Sequence, residues 1–183
     1  LVAFAAHKIG GPAGAGALWV RRGFALGSLL VGGAQERGRR AGSPDVLAHV
    51  GFGAACDLLA ARLADQARIA RLRDRFESEL LSLGAQRNAP QAERVATVAN
   101  LCFSGRRADV LLAALDLEGV AASSGAACSS GKSEPSPVLL AVHADEPERA
   151  STSIRFSFGP ETTETEVDFA LNVIRRVLAR PAR

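Results

Sequence analysis

The 183-residue chain contains no methionine and no tyrosine, a single tryptophan and three cysteines. Each shortage excludes something. Cys56, Cys102 and Cys128 are far apart, odd in number and form no C-x-x-C, so neither a disulfide framework nor a zinc knuckle is indicated, and the thiols fit a reducing compartment. Aromatic residues reach only 5%, and the net charge of +3 comes from arginines mixed with acids, as in ARIARLRDRFESEL. Direct nucleic-acid binding is therefore not expected. No apolar run approaches membrane-spanning length and no export signal opens the chain, so the expected setting is the cytoplasm with no membrane contact. The missing methionine and an opening in mid-strand, where Leu1-Val2-Ala3-Phe4 reads as a short buried apolar run, predict the C-terminal part of a longer polypeptide.

What is present matches a globular protein, with 48% hydrophobic and 22% charged residues. A second strand is predicted at Ala17-Leu18-Trp19-Val20. Ser43 before Pro44 has the pattern of an N-cap and first helical position, which predicts one long helix ending at Gly84. Leu72, Phe76, Leu80 and Leu83 form its apolar stripe, and Gly51 and Gly53 mark close packing or a break. A β-type pattern follows from Val95 to Phe103. Helical spacing returns through Val110, Leu111, Leu115 and Leu117, and a short helix is expected near Val138-Leu139-Leu140. Ser153 to Phe158 alternates strictly, which predicts a half-buried strand with Arg155 on the face opposite Ile154. The last helix opens on a capping box, Thr163 with Glu166, and carries Val167, Leu171, Ile174 and Leu178. Alternating strands and helices define an α/β or α+β chain.

Two residues stand out. Lys8 follows an apolar strand and precedes Gly10, Gly11, Gly14 and Gly16, a tight turn where another body can approach the backbone. A partly desolvated lysine there loses its proton readily and forms a Schiff base; the alternative is a solvated surface lysine. Cys128 lies among Ser123, Ser124, Gly125, Ser129, Ser130 and Gly131, residues that build no core and leave a thiolate room to reach a substrate. Cys56 and Cys102 stand in apolar helix and strand contexts and read as structural.

Four blocks in order, AAHKIGGPAGAGALWVRR, GGAQERGRRAGS, SSGAACSSGKSEPSPVLLA and STSIRFSFG, resemble the C-terminal half of cysteine desulfurases, the pyridoxal-phosphate enzymes of iron-sulfur cluster assembly within the class V aminotransferase group. The resemblance implies an α/β fold, the C-terminal part of a PLP-dependent transferase of fold type I. Residues 1–45 would end the cofactor-binding large domain, 46–84 form a long connecting helix, and 85–183 form a small α+β domain with the cysteine loop.

By the same resemblance Lys8 holds pyridoxal 5′-phosphate, His7 lies near its phosphate, and Ser43 reaches the phosphate of the partner subunit in a homodimer. Gln35, Glu36 and Arg37 match a loop that runs between subunits. Arg155 grips the carboxylate of the L-cysteine substrate, its alternative being a surface pair with an acid such as Glu161. Cys128 takes the sulfur as a persulfide and passes it to an iron-sulfur scaffold or another sulfur-acceptor protein, including those of tRNA or cofactor thiolation. No metal is implied. The chain departs from the family at Ala5, where a hydroxyl residue is usual, and at Ala13, Ala34 and Pro160. The family's N-terminal half supplies the groups on the cofactor ring, so these residues alone are expected to turn over little or nothing. A truncated, non-catalytic module retaining dimerisation and acceptor binding is the alternative.

Overall fold

The computed structural model describes residues 1–124 and 135–181, which form two compact units, Leu1–Ala64 and Asp65–Arg183. In the first, β1 (Val2–Ala5) and β2 (Gly16–Trp19) pair antiparallel, Val2 opposite Trp19 and Ala5 opposite Gly16. A 3₁₀ turn, Ala6–Ile9, follows β1 and closes on Gly10 in the left-handed region at φ 78°. Both predicted strands form, but the expected burial of the first does not: Leu1, Val2 and Phe4 are exposed, because no described element of this unit lies over the ribbon.

One turn, α1 (Gln35–Gly38), carries Glu36 and Arg37 at φ 52° and 58°, so its interior is left-handed rather than helical. α2 (Val46–Asp57) and α3 (Leu59–Ala64) complete the unit around a small core of Ala6, Ala15 and Ala48 with Phe52 against it. The cap of α2 is Asp45, whose Oδ1 accepts from Ala48 N at 3.0 Å, and not Ser43. A carboxylate makes a charge-assisted bond to the positive helix end, which a serine two residues earlier cannot match.

The long helix expected over 46–84 is three helices. Breaks fall at Leu58 and Asp65, and none at Gly51 or Gly53. α4 (Gln66–Ser82) starts after Asp65, whose carboxylate takes both Nε and Nη2 of Arg68 at 2.8 Å. That hydrogen bonding holds the Asp65 carboxyl below the usual carboxylate range. Arg68 also donates to the carbonyls of Thr162 and Pro160, so the start of α4 is tied to the segment leading into the last helix.

In the second unit β3 (Gln86–Arg87), β4 (Val98–Cys102) and β5 (Ser153–Ser157) form an antiparallel sheet in that order. α4, α5 (Ala108–Leu117) and α8 (Glu164–Ala179) contribute to one apolar core with one face of the sheet. Ile69, Leu72, Phe76 and Leu80 of α4 meet Ala99, Leu101, Ile154 and Phe156, with Leu111, Leu115, Val167, Leu171 and Ile174 closing the layer. Phe76 stands edge-on to Phe156 and Phe158, ring centroids 4.9 and 5.4 Å apart. This geometry favours aromatic pairs beyond simple burial. Two short helices, α6 (Pro137–Val142) and α7 (Arg149–Thr152), lead into β5; Ser136 caps α6 by accepting from Leu139 N.

Several predicted positions move by a residue or a face. Leu83 ends α4 as an exposed cap residue, and Gly84 follows at φ 92°. Ala85 N donates to Leu80 O and Gly84 N to Leu81 O, the paired bonds of a Schellman ending. Val95 stays outside β4 because its carbonyl accepts from Arg73 of α4. Leu111 and Leu115, four apart, share the buried face of α5, while Val110 and Leu117, seven apart, lie on its solvent side.

The carboxylate of Glu77, fully buried on α4, is bound by Arg87 and Arg94, and Arg94 also reaches Asp74. Removing one partner of a buried pair strands the others, so Glu77→Ala should cost about 3 kcal/mol or more in denaturant unfolding of the full-length protein. A loss under about 1 kcal/mol would show the cluster to be solvated. The α8 capping box is complete: Glu166 N donates to Thr163 Oγ1, and Thr163 N donates to Glu166 Oε2. The Thr163 N–H and the Thr163 hydroxyl, both donating to Glu166 Oε2, hold the Glu166 carboxyl below its usual range. A folded-state value below the unfolded one means the contribution is present above the unfolded value and lost as pH falls through the folded one. Thr163→Ala should thus cost about 1 kcal/mol at neutral pH. The difference should shrink in melts carried into the acid range.

Candidate active site

Lys8 sits inside the 3₁₀ turn, between strand and glycines, and both Lys8 and His7 are exposed. The partly desolvated lysine expected from the sequence is not found within this unit, and no described side chain bonds to either residue. The close-fitting body that the glycines admit is α2. A Cβ on Gly11 would lie 3.1 Å from that of Ala6 and 3.3 Å from that of Ala55, and one on Gly51 would lie 2.9 Å from Cγ and Cδ of Pro12. Ala6 N donates to Ala15 O and Gly11 N to Ala6 O, which closes the base of the loop. At its far end Arg62 of α3 donates to the carbonyl of Ile9, so a cation holds the turn immediately after Lys8. Sequence reasoning missed Arg62, which no local pattern marks; it lies 53 residues from its acceptor.

Ser43 is exposed in the segment before α2, and the helix is capped two residues later by Asp45, which accepts from Ala48 N. Its expected contact with a partner's cofactor phosphate is thereby separated from any capping role. Cys56 is exposed on α2 and does not fill a core; Cys102 does, with Sγ 3.2 Å from Thr152 Oγ1. Cys128 lies outside the described residues.

Arg155 occupies the middle of β5, on the face opposite Ile154 as the alternation predicts. Its cross-strand neighbour on β4 is Asn100. On its other side it exchanges both backbone bonds with Ser123, Ser123 N to Arg155 O at 3.1 Å and Arg155 N to Ser123 O at 2.7 Å. The chain entering the Cys128 segment is thus strapped to the residue expected to hold substrate. Arg155 Nε is buried without an acceptor, and no described acid pairs with the guanidinium, Glu161 included. An arginine bridging two surface groups would show such a partner. Among the described residues no cluster of His, Cys, Asp or Glu could hold a metal ion, and no single helix is long and apolar enough to cross a membrane.

A conserved-family model for class-V aminotransferases matches residues 1–169, and the chain belongs to that family. Within it, the chain is 43% identical over 181 residues to a cysteine desulfurase of Rhodobacter capsulatus, covering 98% of this chain and 47% of the relative. It is 37% identical over 183 residues to a cysteine desulfurase IscS of Dictyoglomus turgidum, covering 98% and 46%. The solved structure of a NifS-like protein superposes with a TM-score of 0.83 at 29% identity, over 97% of this chain and 45% of that one. The chain therefore spans about half the length of the relatives it matches, and its α/β fold is the one the resemblance implied.

Gly51→Ala separates two effects. Helix propensity alone predicts a gain of about 1 kcal/mol, whereas the clash with the Pro12 ring predicts a loss of about 1–3 kcal/mol. The ring is tied to the backbone and cannot swing away, so a lower melting temperature is expected in the full-length protein. A gain would show that the turn and α2 are not in contact.

Proposed function

We propose that the chain is part of a cysteine desulfurase that converts L-cysteine to L-alanine and leaves the sulfur as a persulfide on Cys128, for an iron-sulfur scaffold or another acceptor protein. The observation that supports it best is the strap between Ser123 and Arg155. Cys128 follows Ser123 by five residue steps, and an extended chain of that length reaches no more than about 18 Å. The thiol is therefore tethered within reach of whatever Arg155 binds.

The residues present fit pyridoxal 5′-phosphate and an amino acid in kind. Lys8 offers an exposed primary amine and Arg155 a guanidinium with a buried nitrogen, neither with a partner among the described residues. When bound, the cofactor supplies an electron sink for the substrate α-carbon. Arg155 takes the substrate carboxylate as a planar fork, which fixes the bond presented for cleavage. The Lys8 amine holds the cofactor and moves the α-proton. His7 and Ser43 are assigned to the phosphate, with Ser43 serving the partner subunit of a homodimer. Ala5 supplies no hydroxyl there, which removes one bond to a charged group, about 2 kcal/mol. The Cys128 thiolate then bonds to the substrate sulfur as the carbon-sulfur bond breaks, and a proton replaces sulfur on the β-carbon. L-cysteine plus thiol gives L-alanine plus persulfide, with no outside oxidant. A cytoplasmic setting goes with this reading.

In the full-length protein, Lys8→Ala should give a colourless preparation and Cys128→Ser should release no alanine-matched persulfide, while Arg155→Lys should raise KM for L-cysteine by about tenfold or more. A yellow Lys8→Ala protein, or sulfide release from L-cysteine that survives Cys128→Ser, defeats the proposal.

A further inference from the structure

We infer that Asn100 is a second carboxylate-binding residue, donating its side-chain amide to the same substrate carboxylate as Arg155; the inference rests on the reading of Arg155 as the carboxylate clamp. Four polar residues lie in one row across the sheet: Asn88, Asn100, Arg155 and Ser123. Asn88 N donates to Asn100 O at 3.1 Å, one residue beyond the β3 ladder. Asn100 is directly opposite Arg155, and Arg155 is opposite Ser123. Directly paired residues of antiparallel strands project to the same face, and the other face is the apolar core.

The orientation of Asn100 follows from its neighbours. Arg149 Nη1 lies 3.3 Å from Asn88 Oδ1, and a guanidinium only donates, so the Asn88 oxygen faces Arg149. Its amide nitrogen then faces Asn100 Oδ1 at 2.6 Å and Ser153 Oγ at 2.8 Å, which uses both amide protons. With its oxygen engaged there, Asn100 turns its own amide nitrogen away from Asn88. No described residue accepts from that nitrogen, nor from the buried Nε of Arg155 beside it. Among the described residues, two neighbouring donor groups, one cationic, lack acceptors on one face. Their complement is an anion with two acceptor oxygens in a plane, as in the carboxylate of an amino acid. Asn88 and Arg149 serve as positioning residues, since they decide which end of the Asn100 amide is presented.

The test uses the full-length holoenzyme with Asn100→Asp, Asn100→Ala and Arg155→Lys. Aspartate keeps the Oδ1 acceptor for Asn88 but exchanges the free donor for a negative oxygen, and alanine removes the donor without adding charge. Each variant is measured for kcat and KM with L-cysteine, for calorimetric binding of L-alanine, and for inhibition by cysteamine, which has the amine and thiol but no carboxylate. Losing one hydrogen bond to a charged group corresponds to a weakening of about tenfold to a hundredfold. Asn100→Asp should weaken L-alanine and raise KM by that factor, with kcat, melting temperature and the cysteamine constant near wild type; Asn100→Ala should act in the same direction. If Arg155→Lys weakens L-alanine while both Asn100 variants bind it normally, the inference fails and the clamp stands. If Arg155→Lys has no effect, the clamp itself fails and takes the inference with it. Equal losses for L-alanine and cysteamine also overturn it, because they mark a general disturbance of the sheet.

Discussion

The contact of Phe76 with Phe156 and Phe158 governs the second unit. A strand alternates its side chains with a period of two, so burying Phe156 and Ile154 against α4 leaves Arg155 no choice of face. The same alternation on β4 buries Ala99 and Leu101 and turns Asn100 outward. The polar row is therefore a consequence of the apolar packing, and a shift of one residue would put the Arg155 guanidinium of β5, or the Asn100 amide of β4, into the core.

The charged groups of this unit work at its joints. Glu77 with Arg87 and Arg94 ties α4 to the chain that runs from β3 to β4. Arg68 ties the start of α4 to the turn before α8, and Glu118 after α5 receives Arg176 and Arg180 of the last helix and its end. Hydrogen bonds from these two arginines keep the Glu118 carboxyl below its usual range. Exposed pairs of this kind contribute little each. The buried Glu77 differs because its carboxylate has no water to return to.

In the first unit the equivalent constraint is absence of side chain. Gly11 and Gly51 permit the turn that carries Lys8 to lie directly on α2, where a methyl group would collide with Ala6 or Pro12. Arg62 then closes the turn from α3. A lysine is thus presented on a backbone fixed at both ends.

Local patterns determined a good part of this protein. The two opening strands, the Gly84 ending, the capping box at Thr163 and the face of Arg155 all depend on residues within a few positions of one another, and each formed, though the first strand without its expected burial. The motif blocks named the family, and the family model agrees. Tertiary structure decided the rest. Asp45 displaced Ser43 as a cap, and one expected helix became three with Asp65 held by Arg68. Arg62 and the row from Asn88 to Ser123 came from segments far apart in the chain. Hydrogen bonds and charge pairs between such segments have no period along a sequence, and only the packed chain brings their partners to within 3 Å or so.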